Sequence, residues 1–404
     1  MTFANVRMVH WCIRVGLPLR VRSDNNVTEE ELAVAKSFRQ WIFAQPVANA
    51  PLGHEHFELR HLPMPEPAAG QALVRNLLVN IHSATRQRML SGATKIGDTD
   101  LTNYACAQVI QSRDPAFKEG DVIHCQAGWQ EYQLISSADP ALGYPPASAL
   151  VKALHGTNSQ WTYLFRPLLV NLWSPSILME MFSTSGMTAY FGMRECGPVM
   201  PRDRVAVAGT SGSVGSIAAQ LAKIAGARVI GFAGGPERCR WVIDTLGIDD
   251  CIDYTADDLD ARLQRAFSEG IDVFSDGVGG RVTDAVLRLM NRNGRMVSFG
   301  SGASLYSDAP SLPTPGSSLR KMVGLTEAME QTIRERNIKS EAWIVDAFYH
   351  ERLRAEEDLS RLMLMGRLKP VTRVIDGFEN LPDAIASLYR TGRSGKLQVQ
   401  FGTR

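Results

Sequence analysis

From Phe57 the chain shows the period-two alternation of a half-buried strand in FELRHLPMP, closed by a proline-rich turn. ALVRNLLVNI follows as a continuous apolar run of the length that suits a buried strand. The character persists through DVIHCQAGWQEYQLI, where paired strand-like runs flank Gly128, and ends in the loop DPALGYPPASAL. This pattern predicts a β-rich first segment and a change of domain after the loop. From 204 to 300 the pattern changes: RVAVA, a helix from about Ser213, RVIGF, a helix from Pro236, CIDY, a helix, DVFSDG, a helix, then RMVSFG. Strands alternating with helices predict an α/β fold with a doubly wound parallel sheet. Pro236 follows Gly234 and Gly235 at the first helical position, where its missing N–H is no loss and its fixed φ starts the helix.

Beyond Gly300 lies the polar passage SGASLYSDAPSLPTPGSS, of the kind that covers a site as a mobile loop. Charge-dense sequence that reads as helical runs from there to Arg367, and KPVTRVIDGFENLPDAIASLYRTGRSGKLQVQF then reads strand, helix, strand. No internal repeat or low-complexity tract appears.

With 404 residues the chain exceeds what a single core fills, so two domains are expected. Lys and Arg number 43 against 42 acids, which leaves no basic excess for nucleic acid. The most apolar stretch, Pro167 to Phe182, is interrupted by Asn171, Ser174, Pro175 and Glu180 and is too short to span a bilayer. Cys12, Cys106, Cys125, Cys196, Cys239 and Cys251 form no CxxC pair and no disulfide framework, which suits a reducing, cytoplasmic setting. The first 23 residues carry Arg7, Arg14, Arg20 and Arg22 and no acid. They read as an extension or as an amphipathic transit peptide, and the lack of a small-residue cleavage site favours the extension.

The strongest chemical signal is VAVAGTSGSVGSIAAQLAKIAGARVIGF, with Gly209, Gly212 and Gly215 between a strand and an amphipathic helix. Glycines there allow a tight turn and close approach of backbone to a pyrophosphate lying at the helix N-terminus. Ser211, Ser213 and Val214 belong to the same expected cradle. An NAD-binding fold has an acid at the end of the second strand; here that place reads Phe232-Ala233-Gly234-Gly235, with Arg238 and Arg240 next. A guanidinium pairs with a 2′-phosphate that an acid would repel, so NADPH is the expected cofactor. His54 and His56, in GHE, read as surface-loop residues.

These residues resemble the medium-chain dehydrogenase/reductase superfamily, in particular its leukotriene B4 dehydrogenase/prostaglandin reductase branch of alkenal double-bond reductases. The likeness runs from about Arg39 to the C-terminus through RQWIFAQ, GWQEY, GMTAYFG, GTSGSVG, AGGPERCRW, IDY, DGVGG and GKLQVQF. It implies a Rossmann domain over 181–367 and a GroES-like substrate-binding domain over 38–180 and 368–404, after an extension over 1–37. It also implies zinc-independent hydride transfer from NADPH to the β-carbon of an α,β-unsaturated ketone or aldehyde, in a homodimer that could pair through an edge strand after Trp343. Arg238 stands where relatives have a Lys and Tyr254 where they have a Tyr, both at the 2′-phosphate. Gly234, Gly277, Val278 and Gly300 complete the implied cofactor contacts. Tyr306 is the candidate for steadying the enolate, although it comes one residue later than the family spacing.

Three family positions differ. Ala84, within His82-Ser83-Ala84-Thr85-Arg86, replaces a Tyr that faces substrate, Gly277 replaces an Asn, and Arg393 replaces another. GTNSQWTYLFRPLLVNLW is extra, and its Trp161, Tyr163, Phe165 and Trp173 suit an apolar pocket, a dimer contact or core packing equally. Reduction of a bulky conjugated carbonyl is the leading expectation. A quinone oxidoreductase or carbonyl reductase of the same superfamily, and a non-catalytic NADPH-binding protein, are the alternatives.

Overall fold

The computed structural model describes residues 37–47, 52–82, 85–90, 92, 94–100, 103–138, 162–299, 325–342, 345–390 and 394–402. Chain contacts divide the molecule into Met1–Ser37 and Phe38–Arg404, and the elements below belong to the second unit apart from Ser37. In chain order the first strands are β1 (Ser37–Phe43), β2 (Phe57–Pro63), β3 (Ala72–Asn80), β4 (Asn103–Ser112), β5 (Val122–Ala127), β6 (Tyr132–Ile135) and β7 (Tyr163–Leu164). Helices α1 (Pro175–Met181) and α2 (Thr184–Phe191) lead into β8 (Arg204–Ala208), α3 (Ser213–Ile224), β9 (Arg228–Ala233), α4 (Pro236–Leu246), β10 (Asp250–Asp253) and α5 (Leu259–Ala266). Next come β11 (Ile271–Asp276), α6 (Gly280–Leu289), β12 (Met290–Ser298), α7 (Glu327–Glu335) and β13 (Lys339–Ala342). The chain closes with α8 (Arg352–Leu364), β14 (Thr372–Asp376), α9 (Leu381–Arg390) and β15 (Lys396–Gln400).

One sheet is parallel with the order β10-β9-β8-β11-β12-β13. The chain reverses direction across the sheet between β8 and β11, the crevice where α/β folds bind ligands beyond the carboxyl ends of their strands. Val205, Ala206, Val207 and Ala208 are all buried because helices cover both faces. α3 turns Ile217, Ala218, Ala219 and Ala222 inward, and these small side chains let the helix lie close to the sheet. α4 starts with Pro236 in its first turn, as the sequence predicts, and ends at Gly247 with φ +66°, a left-handed cap whose N–H reaches the Ile243 carbonyl.

The other large sheet is mixed, with the order β14-β15-β3-β4-β5-β7 and β6 paired to β3. Its core gathers Trp41, Val74, Val79, Ala105, Ile123 and Trp129, sealed from the C-terminal side by Leu381 and Ile385 of α9. β1 and β2 pair separately.

Several sequence expectations are revised here. The charge-dense stretch before Arg367 is not helical throughout. α7 ends at Glu335, Asn337 turns the chain with φ +50°, and Lys339–Ala342 joins β12 in parallel register. The edge strand therefore precedes Trp343, and a 3-10 helix occupies Val345–Glu351. His56 is buried and not a loop-surface residue, because the turn His54–His56 folds its ring back onto the Gly53 N–H at 3.1 Å; His54 is exposed as expected. Pro167–Leu172 and α1 share the apolar stretch, each begun by a proline. Tyr163 and Phe165 pack into the core, with Tyr163 stacked on His124 at 4.5 Å and capped by the Arg352 guanidinium at 4.0 Å, so core packing is their role. Trp161 lies outside the described residues.

Candidate cofactor and active site

The turn after β8 is built for close approach. Gly209 takes φ +70°, and its carbonyl accepts from the Gly212 N–H at 2.9 Å. A Cβ on Gly215 would stand 2.3 Å from the Gly209 oxygen, so no side chain fits there. The N-cap of α3 is Gly212, which offers no side-chain oxygen to the first-turn N–H groups. These donors and the helix dipole are the components of an anion site. Ser211, Gly212, Ser213 and Val214 are half-buried at the surface of this turn. Thr210, fully buried, ties the loop to β9: its Oγ accepts from the Phe232 N–H at 2.9 Å and its N–H donates to the Phe232 oxygen at 3.1 Å.

At the end of β9 the Gly234-Gly235 turn is held by Asp253, whose Oδ1 accepts from the Gly235 N–H at 2.8 Å and from Thr255 N–H and Oγ at 2.9 and 2.6 Å. Burial opposes ionisation of Asp253, but the bonds from Thr255 and Gly235, with Arg262 nearby, outweigh it and hold the carboxyl below its usual range. Tyr254 lies over the turn; a Cβ on Gly234 would come 3.1 Å from its hydroxyl. Arg238, half-buried in the first turn of α4, opens on a cleft of about 750 Å³ shared with Trp241 and Lys369, whereas Arg240 is exposed. No acidic side chain occupies the end of β9 itself.

The third turn follows β11. The buried Asp276 carboxyl accepts from the N–H groups of Val278 and Gly279 at 2.9 and 3.0 Å and from Thr283 Oγ at 2.6 Å; burial raises its pKa above the usual value despite these donors. The turn sits against the first one, since a Cβ on Gly209 would touch Val278 at 3.4 Å. Gly209, Ser211, Gly212, Ser213, Val214 and Gly215 thus meet Gly277 and Val278 at one edge of the sheet, with Gly234, Arg238 and Tyr254 flanking them at the end of β9. Gly300, Tyr306, Ser83, Ala84 and Arg393 lie outside the described residues.

Sequence reading did not single out two groups at this edge. Glu180, on α1, is completely buried, and Ser213 Oγ donates to its carboxylate with both oxygens at 3.0 Å. Burial lifts the Glu180 pKa to about 7 against the pull of Lys396 and Ser213. Lys396 opens β15, just after Gly395 donates to the Ser211 carbonyl at 2.9 Å; burial lowers its pKa, opposed by Glu180. The only sequence signal for either was an acid interrupting an apolar run and a lysine following a glycine.

Residues 213–336 match the family described as zinc-binding dehydrogenase, and residues 39–141 match the N-terminal domain of oxidoreductase. Among the described residues, no group of three or more His, Cys, Asp or Glu side chains is placed to hold a metal ion. A putative NADP-dependent oxidoreductase of Bacillus subtilis is 30% identical over 86% of this chain and 93% of its own length. A 2-alkenal reductase (NADP(+)-dependent) of Nicotiana tabacum is 28% identical over 84% of this chain and 89% of its own. The crystal structure of CurA from Vibrio vulnificus in complex with NADPH superposes with a TM-score of 0.73 at 28% identity, covering 91% of this chain and all of that one. With its parallel sheet, glycine turn and two-part matching, the chain belongs to the zinc-independent, NADP-dependent reductases of the medium-chain dehydrogenase/reductase superfamily.

Proposed function

We propose that the protein reduces the C=C bond of α,β-unsaturated ketones or aldehydes with NADPH. The join of an uncapped glycine turn, able to take a pyrophosphate, with Arg238 beside an acid-free end of β9, able to take a 2′-phosphate, carries the cofactor half of this reading, and the likeness to the 2-alkenal reductase supports the C=C half. The residues fit the cofactor: Gly215 leaves backbone room for phosphate, and Gly235, with φ +90°, turns the chain without a side chain in the way. NADPH, when bound, supplies a hydride, and one solvent proton completes the saturated product.

The chain's own work is to hold the reactants. The first-turn N–H groups of α3, with Ser211, Ser213 and Val214, would hold the pyrophosphate; Arg238 and Tyr254 would hold the 2′-phosphate; and the Gly277-Val278 turn, fixed by Asp276, would complete the dinucleotide site. Gly300 and Tyr306 complete the proposed site, Tyr306 steadying the enolate oxygen. The domain limits that go with this reading are 38–180 with 368–404 and 181–367, supported by the place of β14 and β15 in the sheet of β3. A cytoplasmic homodimer completes the reading. Among the described residues no helix is long and apolar enough to cross a membrane.

The test is NADPH oxidation at 340 nm with a panel of enones, enals, quinones and saturated carbonyls, repeated with NADH, with products identified. Saturated ketones or aldehydes formed with a preference for NADPH are expected. Hydroquinones or alcohols as the only products, or NADPH binding without any turnover, would overturn the reading; sedimentation velocity tests the dimer.

A further inference from the structure

A carboxyl with no solvent exposure stands against the first residue of the anion-binding helix. Ser213 begins α3, and its hydroxyl is turned onto Glu180, whose two oxygens share it at 3.0 Å. The glycine N-cap leaves the first turn of α3 without a capping side chain, so the buried carboxylate is the negative charge that already sits beside this helix end. A pyrophosphate placed at the same turn brings two more negative charges into a region with little water. Like charges that close disfavour each other's ionised forms, and the weaker acid takes up a proton.

Counter-charge from the protein is limited. Elements packed on α1 bring Tyr190 on α2, Arg75 on β3, Tyr104 and Cys106 on β4, and Arg373 and Asp376 on β14; none of these shifts the carboxyl. Among the described residues Lys396 is the charged group that acts on it, and the two form no ion pair within 4.0 Å. Its ammonium is itself buried, with 8% of the residue exposed. The cation thus favours the charged carboxylate without forming an ion pair with it. Three chain segments meet here, since Glu180 precedes the first turn of α2, Ser213 opens α3 and Lys396 opens β15.

Resting on the NADPH reading above, we propose that Glu180 is a proton acceptor linked to the cofactor: when the pyrophosphate binds at Ser213, the carboxylate takes one proton from solvent and stays neutral while the cofactor is in place. The step is Glu–COO⁻ plus H⁺ giving Glu–COOH, with no other bond made or broken. Ser213 can go on donating to the carbonyl oxygen of the neutral acid, so the start of α3 keeps its geometry in both states.

The test is calorimetric titration of the full-length protein with NADP⁺ at pH 6.5, 7.5 and 8.5 in buffers of different ionisation enthalpy, for the native chain and for Glu180→Gln. Proton uptake that grows from pH 6.5 through 7.5 and approaches one proton at pH 8.5 is expected in the native protein, with Kd rising up to about tenfold per pH unit toward the upper end. Glu180→Gln should show neither the uptake nor the slope, and subtracting it removes any proton carried by the 2′-phosphate itself. Ser213→Ala, which removes a donor to the carboxylate, should move the uptake to higher pH. Infrared difference spectra on NADP⁺ addition should show a new protonated-carboxyl band in the native protein, a readout that does not need the variant to bind, and Glu180→Gln saturated with NADP⁺ should lack it. Tight NADP⁺ binding with the same proton count in both proteins, or no new carboxyl band, overturns this inference and leaves the reductase reading standing. Absence of NADP⁺ binding in the native protein overturns both.

Discussion

Replacing Arg238 by Ala isolates the proposed contact with the 2′-phosphate. Among the described residues Arg238 has no hydrogen bond and no ion pair, so its removal orphans no buried partner and should leave the melting temperature within about 1 °C of native. The whole effect then falls on binding. A charge-assisted hydrogen bond contributes about 1.5–3 kcal/mol. At about 1.4 kcal/mol per decade this predicts NADPH binding weakened by about 10- to 150-fold. NADH has no 2′-phosphate and should bind the variant within about twofold of native. Titrating both cofactors by quenching of tryptophan fluorescence measures this, with Trp241 one turn along α4 as a reporter on the same cleft. A variant that keeps its NADPH affinity within threefold, or that loses NADH affinity in parallel, would refute the placement of the phosphate at Arg238.

Gly215→Ala puts a methyl 2.3 Å from the Gly209 carbonyl, so the turn must open; a loss of about 1–3 kcal/mol of stability and at least tenfold weaker NADPH binding are expected, read by thermal melting and the same titration. Asp272 accepts from Arg204 N–H at 2.9 Å and Nε at 3.0 Å and from Asn291 at 2.6 Å; burial opposes its ionisation, but these bonds hold its pKa below 3.8. With the folded pKa depressed, its contribution is present above about pH 3.8 and fades as pH falls through the folded value. Asp272→Asn should therefore cost about 1–2 kcal/mol at pH 7, with the two urea-unfolding curves converging as pH falls through the depressed folded value. Cys125 and Cys106 are fully buried, and burial pushes the Cys125 thiol up to about 12 and that of Cys106 higher still. Neither should be alkylated by iodoacetamide at pH 8 until denaturant is added, as peptide mass mapping would show.

The nucleotide half of the fold is legible in the sequence because its signals are local. RVAVA, the glycine turn and the start of α3 lie within one short stretch, so the apolar run, the glycines and the helix start are read together even though β8 itself pairs with β9 and β11. Arg238 is set apart from Arg240 by its place in the family pattern, and the helix agrees, turning Arg238 to the cleft and Arg240 to solvent. β4 escaped notice because NYACAQVIQS mixes small and polar residues, and it becomes a strand only by pairing with β3 and β5. β13 was hidden for a similar reason: KSEA has no strand composition, and its backbone is fixed by β12. Glu180, Ser213 and Lys396 are scattered along the chain and meet only in the folded molecule, so no spacing rule could join them. His56 misled because its place before the first core strand reads as surface loop, whereas a single 3-10 turn decides where the ring goes.

β15 lies between β14 and β3, and Gln398 reaches across a sequence separation of 318 residues to donate to Asn80 at 3.0 Å. During synthesis the nascent chain therefore carries one open edge of β3, at residues 78–80, until residues 398–400 have emerged to pair with it. The parallel sheet needs no segment later than β13 and can close first, while the mixed sheet waits with an open edge that other strands could join. Premature termination just before β15 would spare every glycine turn of the nucleotide half and still deliver a product destined for chaperones and proteolysis.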